Sequence, residues 1–325
     1  MKPWKSADIP SQKGRVSIVT GTGGLGYETA LELARAGADV ILAGRNLAKG
    51  KQSVESIKRA LPNAKISFEL LDLASLASIG AFAELMCDRC PYLDLLINNA
   101  GVMSPPIRQQ TSDGFELQFG TNYLGHFALT LQLLPLLRRG NHSRVINLSS
   151  LTHRRGAIHF DDLQWERRYK AWPAYAQSKL AMLMFALEFQ RRSEASGWGV
   201  MSNAAHPGYA RTDLIPNGPG TDGLLQKLNL LIQPLISHSA AEGALPTLFA
   251  ATAADATGGA YYGPDGFYEL KGPPKPAKIM PQAMDKQTAA RLWEISERLV
   301  NIRSVERGAS TASTVWPGKP DVPPR

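Results

Sequence analysis

The chain has 325 residues, of which 44% are hydrophobic, and its formal net charge at pH 7 is +8. This length and apolar content suit one large α/β domain with an extended core. No stretch supplies the roughly 18 consecutive uncharged apolar residues of a membrane span, so we expect a soluble, cytoplasmic protein. The basic charge is spread over separate arginine pairs without interleaved aromatic residues, which argues against a nucleic-acid partner.

Short runs of apolar and β-branched residues alternate with longer helical stretches. The predicted strands are RVSIVTG (15–21), DVILAG (39–44), KISFELLD (65–72), LDLLINNAG (93–101), RVINLSS (144–150) and GVMSNAAHPG (199–208). This alternation predicts an α/β fold, a doubly wound parallel sheet of the Rossmann type with helices on both faces. We assign it to a single domain over 15–303, preceded by an N-terminal arm over 1–14. Residues 304–325 are rich in Pro, Ser, Thr and Gly, and we expect a disordered tail there.

A glycine-rich loop joins the first predicted strand to the first predicted helix. Its glycines remove the side chains that would keep a pyrophosphate away from the backbone, and the helix points its N-terminus at the anion. The alternative is a glycine-rich turn with no ligand. We predict that a dinucleotide contacts Gly21, Thr22, Gly23, Gly24, Leu25 and Gly26.

The end of the second predicted strand, DVILAGRN, bears on the choice of cofactor. Dinucleotide folds that select NAD place an Asp or Glu about 20 residues after the glycine loop, where it binds the ribose 2′-hydroxyl. Gly44 occupies that position, and Arg45 beside it offers a charged fork suited to a 2′-phosphate. We therefore predict NADP(H) as cofactor, with Arg45 and Asn46 among its contacts. The alternative is that Arg45 merely caps the turn.

The two cysteines of the chain, Cys87 and Cys90, are spaced C-x-x-C at a predicted helix end. One such pair cannot by itself close a four-ligand metal site. We expect reduced thiols and no metal.

Tyr175 and Lys179 stand four residues apart at the start of an apolar run, AYAQSKLAMLMF. A helix places positions i and i+4 on one face, so the ammonium would lie near the phenol. A nearby positive charge favours the phenolate, so we expect the pKa of Tyr175 to fall toward neutrality and the phenol to exchange protons. The alternative is a tyrosine at a core edge and a lysine that extends to water.

Seven motifs occur in the order and approximate spacing of one enzyme family. They are VTGTGGLG, DLASL, NNAG, TNYLGHFALT, INLSS, YAQSK and HPGYARTDL. In these motifs the chain resembles the short-chain dehydrogenase/reductase family over residues 14 to 270. The long segment before Tyr175 and the sequence GGAYYGPDGFYEL resemble the retinol dehydrogenase and protochlorophyllide-reductase-like branch.

The resemblance implies a catalytic set of four residues. Ser150 would hydrogen-bond the substrate oxygen, with Ser149 as the alternative, and Tyr175 would act as the general acid or base. Lys179 would lower the pKa of the tyrosine and bind the nicotinamide ribose. Asn122 would hold a water in the proton path, although an asparagine inside a helix could simply bend it.

The resemblance also implies further cofactor contacts. Asp72 would lie beside the adenine, followed by Leu73, and Ala100 and Gly101 would leave room for the adenosine ribose. The remaining contacts would be Asn99, Tyr175, Lys179, Pro207, Gly208 and Thr212, the last three near the nicotinamide carboxamide. Asn98 would steady the sheet, and His206 is expected to be structural.

Two features of the chain stand apart from these contacts. The family loop reads T-G-x-x-x-G-x-G, and the loop here is one residue shorter, at a position that normally helps contact the adenosine ribose or its phosphate. Residues 216–239 combine a Gly/Pro-rich hinge with apolar helical residues. They resemble the family's substrate lid, although an ordinary amphipathic helix on the core has the same pattern.

Together these observations predict an NADP-dependent oxidoreductase. It would transfer a hydride between NADP(H) and the carbonyl or alcohol group of a fairly hydrophobic small molecule, as a monomer or homodimer. The alternative of another class is a non-catalytic NADP-binding sensor on the same fold. The joint presence of Asn122, Ser150, Tyr175 and Lys179 argues against that alternative.

Overall fold

The computed structural model describes residues 3–210 and 238–302. Thr212, the predicted tail and almost all of the predicted lid lie outside the described residues. One sheet of eight strands runs through this part of the chain. The strands are β1 Val16–Thr20, β2 Asp39–Gly44, β3 Ile66–Leu70, β4 Leu95–Asn98, β5 Arg144–Leu148, β6 Met201–Ala205, β7 Tyr261–Pro264 and β8 Pro274–Pro276.

The strand order is β3-β2-β1-β4-β5-β6-β7-β8. Strands β1 to β7 pair in parallel, and β8 pairs antiparallel with β7. The doubly wound parallel fold predicted from the sequence is confirmed, and its six predicted strands are all present. Strands β7 and β8 were not predicted, because they are short and contain Gly and Pro, which favour turns.

Helices cover both faces of the sheet. They are α1 Gly24–Arg35, α2 Leu47–Ala60, α3 Leu76–Arg89, α4 Gly125–Leu137, α5 Ala171–Ser196, α6 Ala240–Thr252 and α7 Lys286–Val300. Helices α1, α2 and α6 bury apolar side chains with one face of the sheet. Helices α3, α4, α5 and α7 do so with the other face, which forms the larger of the two cores.

Helix α5 is buried along most of its length, with every residue from Ala174 to Phe189 inside the protein. Helix α7 covers part of it: the ring of Trp293 lies 5.7 Å from that of Phe185 and 4.9 Å from that of Phe127. A helix that is surrounded on all sides is held by packing rather than by its own propensity. The first turns of α5, which carry Tyr175 and Lys179, are therefore rigidly placed.

The strand order reverses between β1 and β4, which opens a crevice beyond the carboxyl ends of the strands. Asn98 is the last residue of β4 and lies beneath this crevice. Its Nδ2 donates to Asn147 Oδ1 and Thr130 Oγ1, both at 2.9 Å, and so joins β4 to β5 and α4. These bonds fit the steadying role that the resemblance implied for Asn98.

The N-terminal arm packs on the domain. Trp4 lies edge-on to Phe249 of α6 with ring centroids 5.4 Å apart, and the amide of Gln12 donates to the carbonyl of Ala36 at 2.8 Å.

Among the helices within 3–210 and 238–302, we find none that combines the length and the apolar character of a membrane-spanning segment.

Candidate active site

The glycine loop brings the backbone of β1 against the start of α1. Gly21 has φ +94°, a conformation that side chains rarely adopt. A Cβ on Gly26 would collide with the carbonyl oxygen of Gly21 and lie 2.7 Å from Asn99 Nδ2. Gly23 caps α1 without offering a side-chain oxygen to its first amides. Bare backbone beside an uncapped helix start fits a pyrophosphate.

The short loop is anchored on both sides. The amide of Gly21 donates to the carbonyl of Ala43 at 2.8 Å, and Ser53 Oγ of α2 donates to the carbonyl of Thr22 at 2.7 Å. The methyl group of Thr22 would lie 3.0 Å from a Cβ placed on Gly44. Thr22 thus occupies the space above Gly44, where an acidic side chain of an NAD-selective site would have to fit. Sequence reasoning had not singled out Ser53.

Arg45 and Asn46 follow β2 beside this loop. Asn46, not Arg45, caps the next helix: its Oδ1 accepts from the amide of Lys49 at 3.0 Å. Arg45 is exposed, and it has no ion pair within the described part of the chain. Its guanidinium is therefore available to an anion at this edge of the crevice.

The other predicted adenosine contacts lie at the ends of β3 and β4. Asp72 Oδ1 accepts from the amide of Ala74 at 3.0 Å, and Leu73 beside it is buried. Asn99 Nδ2 donates to the carbonyl of Thr20 at 2.7 Å, while the amide of Ala100 donates to Thr20 Oγ1 at 3.0 Å. The turn after β4 is thereby fixed against the end of β1.

Gly101 links this region to the residues predicted to do chemistry. A Cβ on Gly101 would lie 3.0 Å from Asn122 Oδ1 and 3.7 Å from Lys179 Nζ. The structure therefore brings the predicted cofactor contacts after β4 next to two members of the predicted catalytic set.

Asn122 lies in a π-helical turn, Phe119–Leu124, that precedes α4. Its Oδ1 accepts from the amide of Val102 at 2.7 Å, and its Nδ2 donates to the carbonyl of Val102 and to Ser178 Oγ, both at 2.9 Å. The side chain thus ties the segment after β4 to α5. The local departure from α-helix agrees with the alternative role of bending the helix, and such π turns are frequent at functional sites.

Sequence reasoning missed His126, which is fully buried one turn after Asn122. Its Nδ1 lies 2.9 Å from the carbonyl oxygen of Asn122, and its Nε2 lies 2.9 Å from Thr20 Oγ1. Because a carbonyl can only accept, Nδ1 carries the proton and Nε2 accepts from the Thr20 hydroxyl. Burial lowers the pKa of His126 to about 4, so the ring is neutral. In the sequence, its spacing of four residues from Asn122 could have indicated that His126 lies on the same helix face as Asn122.

Ser149 and Ser150 follow β5 and face different partners. Ser149 Oγ donates to the carbonyl of Lys179 at 2.7 Å and is buried. The hydroxyl of Ser150 lies close enough to the phenol of Tyr175 to lower its pKa, and it accepts from the amide of Thr152 at 3.3 Å, at the start of the short helix Leu151–Arg155. Ser150 is thus the serine that meets the phenol, and it caps the short helix as well.

Tyr175 and Lys179 lie on one face of α5, as predicted, with the ammonium 5.8 Å from the centroid of the phenol ring. Lys179 Nζ donates to the carbonyl of Leu148 at 3.0 Å. Burial raises the pKa of Tyr175 to about 12, although the nearby hydroxyl of Ser150 acts in the opposite direction. Burial also lowers the pKa of Lys179 to about 8. The expected fall of the Tyr175 pKa toward neutrality is therefore wrong for this structure, because desolvation of the phenolate dominates.

The turn after β6 carries His206, Pro207 and Gly208. His206 is fully buried, and its Nδ1 accepts from the amide of Gly208 at 3.2 Å. Gly208 has φ +67°, which suits glycine. The bond from Gly208 fits the structural role expected for His206. The turn follows the carboxyl end of β6, at the same edge of the sheet as Ser150, which follows the carboxyl end of β5.

Residues 15–218 match the family described as short chain dehydrogenase. The chain belongs to the short-chain dehydrogenase family. This match spans more than half of the sequence and contains the glycine loop, the NNAG turn, Asn122, Ser150, Tyr175 and Lys179.

Relatives place the chain within the retinol dehydrogenase-like branch of that family. It is 43% identical to human retinol dehydrogenase 13 over 304 residues, which cover 92% of this chain and 87% of the relative. It is 41% identical to mouse polyprenol dehydrogenase over 298 residues, or 90% of this chain and 85% of the relative. A crystal structure of an uncharacterized protein from Mycobacterium paratuberculosis matches with a TM-score of 0.77 and 39% identity, covering 94% and 100% of the two chains. As a short-chain dehydrogenase, the protein is an oxidoreductase.

The buried ammonium of Lys179 predicts a pH-dependent cost to folding. Below pH 8 the folded and unfolded chains both carry the proton, so the charge is buried at full cost. As the pH rises toward the ordinary value of 10.5, the folded chain releases the proton first and the cost disappears. Lys179→Met should therefore stabilise the cofactor-free protein by on the order of 2 kcal/mol at about pH 7, and by much less at about pH 9.5.

Denaturant unfolding of the cofactor-free protein at the two pH values measures this difference. Lys58→Met, which removes an exposed lysine of α2, is the control and should change stability little at either pH. A Lys179→Met protein that is less stable than wild type at about pH 7 would contradict the stated cost.

Proposed function

We propose that the protein is an NADP(H)-dependent short-chain dehydrogenase that interconverts the alcohol and carbonyl forms of a fairly hydrophobic small molecule. The observation that carries this proposal is the proximity of the Ser150 hydroxyl to the Tyr175 phenol, beside buried Lys179. Gly101 and Asn122 border the same place. The arrangement offers a proton donor, a second hydroxyl and a cation around one small space.

In the reduction direction, Tyr175 is the general acid. A phenol with a pKa of about 12 holds its proton at neutral pH, so it is ready to donate when the substrate oxygen gains negative charge. Ser150 hydrogen-bonds the same oxygen and orients the carbonyl. Bound NADPH would supply the hydride to the carbonyl carbon. In the oxidation direction Tyr175 removes the hydroxyl proton instead.

Lys179 supports the proton transfer from a fixed position. Its ammonium donates to the carbonyl of Leu148 and lies 5.8 Å from the centroid of the phenol ring, close enough for an electrostatic interaction with it. When Tyr175 gives up its proton, this cation stabilises the phenolate that remains. In the family pattern the same lysine also binds the nicotinamide ribose. Asn122 fixes the neighbouring segment through its bonds to Val102.

The cofactor proposal rests on the residues between β2 and α2. A Gly at position 44, covered by the methyl group of Thr22, offers no carboxylate to a ribose hydroxyl. Exposed Arg45 supplies a positive charge at the same edge. A guanidinium pairs well with a phosphate, so this edge favours NADP(H) over NAD(H).

Support for an apolar substrate comes from Trp172 and from the relatives. Trp172, in the first turn of α5, is 51% exposed, and its ring lies 6.2 Å from that of Tyr175. It can therefore contact an apolar group of a substrate whose oxygen reaches Tyr175. The relatives named for retinol and polyprenol act on apolar alcohols, which agrees with this class. A cytoplasmic location and a monomeric or homodimeric state stay predictions from the sequence.

Tyr175→Phe should keep cofactor binding and lower kcat by about a hundredfold or more, because it removes the proton donor and little else. Steady-state kinetics with an apolar aldehyde or ketone, together with direct titration of NADPH, measure the two effects. Tyr123→Phe is the control, since that buried phenol bonds Ser296 in the core at 2.7 Å. A Tyr175→Phe enzyme with undiminished kcat would refute the acid role.

The preference for NADPH over NADH should exceed about tenfold in kcat/KM, a difference of ~1.4 kcal/mol. Arg45→Ala should bring the ratio toward unity, because the phosphate loses its cationic partner. Arg59→Ala, which removes a positive charge from the far end of α2, should leave the ratio unchanged. A wild-type preference for NADH, or a ratio that survives Arg45→Ala, would contradict the assignment.

A further inference from the structure

The loop between β7 and β8 packs directly on the turn after β6. The amide of Tyr209 donates to the carbonyl of Leu270 at 2.8 Å. A Cβ on Gly208 would lie 2.9 Å from the carbonyl oxygen of Glu269 and would collide with that of Leu270. The loop therefore sets the position of the turn that carries Pro207 and Gly208.

This loop contains two successive residues in a strained conformation. Tyr268 has φ +52° and Glu269 has φ +60°, values in the left-handed region that neither side chain favours. Such strain persists only where surrounding contacts impose it, and it is concentrated at functional sites. The contacts that impose it here can be identified from the side chain of Glu269.

The carboxylate of Glu269 accepts hydrogen bonds from separate parts of the chain. Its Oε2 accepts from Arg154 Nη2 at 2.7 Å and lies 3.1 Å from His206 Nε2, while its Oε1 accepts from the amide of Lys278 at 3.2 Å. Because His206 Nδ1 accepts from Gly208, Nε2 carries the ring proton and donates it to the carboxylate. Burial alone would raise the pKa of Glu269, but these donors together lower it, so the group is ionised at neutral pH.

Two of these partners belong to the two sides of the proposed reaction site. Arg154 lies in the short helix Leu151–Arg155, which starts directly after Ser150. His206 directly precedes Pro207 and bonds the amide of Gly208. One carboxylate therefore joins two segments. The first follows Ser150, whose hydroxyl is proposed to bind the substrate oxygen, and the second is the turn Pro207–Gly208, which is expected near the nicotinamide carboxamide.

The space for His206 depends on a glycine in β7. A Cβ on Gly263 would overlap the imidazole of His206, so any other residue there would displace the ring from Glu269. His206 also lies against Tyr261 of the same strand, with ring centroids 5.0 Å apart. The ring is thus confined on two sides in the orientation that directs Nε2 to the carboxylate.

We propose that Glu269 is a positioning residue that aligns Ser150 with the turn Pro207–Gly208 through Arg154 and His206. This inference rests on the proposed function, since it assigns that turn to the nicotinamide end of the cofactor. Misplacement of reacting groups by a fraction of an ångström to an ångström is enough to lower turnover strongly. Glu269 acts through its partners and does not itself contact the reacting atoms.

Glu269→Gln tests this role with little change of shape. A glutamine has one acceptor oxygen, so it cannot accept from all three donors, and its NH2 group would oppose at least one of them. The matched control is Glu188→Gln. Glu188 is a similarly buried carboxylate of α5 bound by Arg191 and Arg192, about 20 Å along the helix from Tyr175.

The first measurement uses the cofactor-free protein. Hydrogen–deuterium exchange of the amides of Gly208 and Tyr209 should be about tenfold faster in Glu269→Gln than in wild type, and unchanged in Glu188→Gln. The second measurement is steady-state kinetics, where kcat should fall at least about tenfold in Glu269→Gln and stay within about twofold of wild type in Glu188→Gln. Arg154→Met, which leaves the bond between Glu269 and His206 in place, should change both quantities in the same direction but less.

Unchanged exchange or unchanged kcat in Glu269→Gln would overturn the proposal, as would equal losses in Glu188→Gln, which would point to general destabilisation. If Glu269→Gln does not fold, an Arg154→Met protein with wild-type exchange and kcat would overturn it. A wild-type protein that reduces no carbonyl with either nicotinamide cofactor would instead refute the proposed function. The exchange comparison, which needs no cofactor, would then still decide whether Glu269 holds the turn.

Discussion

Two reciprocal hydrogen bonds between α5 and the end of β5 determine the geometry of the site. Lys179 Nζ donates to the carbonyl of Leu148, and Ser149 Oγ donates to the carbonyl of Lys179. Both lie in the interior, where a hydrogen bond is stronger than in water and holds its two elements in one arrangement. They fix the position of α5 relative to the sheet. The position of Tyr175 relative to Ser150 is fixed with it. The packing of α7 on α5 prevents the helix from shifting away.

A second network of hydrogen bonds joins Asn122 to Thr20 at the end of β1, where the glycine loop begins. The amides of Asn99 and Ala100 donate to Thr20 Oγ1, the Thr20 hydroxyl donates to His126, and His126 donates to the carbonyl of Asn122. Each member has its hydrogen-bonding capacity met by the next, which is how a buried polar network gives rigidity rather than instability. The end of β1, the turn after β4 and the π turn are thereby held as one unit. This unit spans the crevice in which a dinucleotide of the proposed kind would lie.

Much of this architecture could be predicted from local sequence. The six predicted strands follow from continuous apolar runs, and the glycine loop follows from glycines between a strand and a helix. The pairing of Tyr175 with Lys179 follows from helical spacing. In each case the residues that matter are close in sequence, so periodicity and spacing carry the information. The family resemblance extended these predictions to the order of the motifs, and the match over residues 15–218 confirms the family.

The features that were missed depend on contacts between distant parts of the chain. Glu269 is 115 residues from Arg154 and 63 from His206, and no local pattern connects them. Strands β7 and β8 gain their stability from neighbours in the sheet rather than from their own composition. The pKa of Tyr175 was predicted in the wrong direction because spacing reveals a neighbouring charge but not the extent of burial. In the folded protein Tyr175 is only 7% exposed, and desolvation of the phenolate raises its pKa to about 12.

The central claim is that this site transfers a hydride to a carbonyl carbon while a proton reaches the oxygen. The most direct test incubates the wild-type protein and an apolar aldehyde with NADPH that carries deuterium at the hydride-donating carbon of the nicotinamide, on each face in turn. Mass spectrometry of the alcohol should find one deuterium on the carbinol carbon with one of the two labelled cofactors and none with the other. Alcohol that forms without deuterium from either cofactor, or no alcohol from any aldehyde or ketone of a broad apolar panel, would contradict the account.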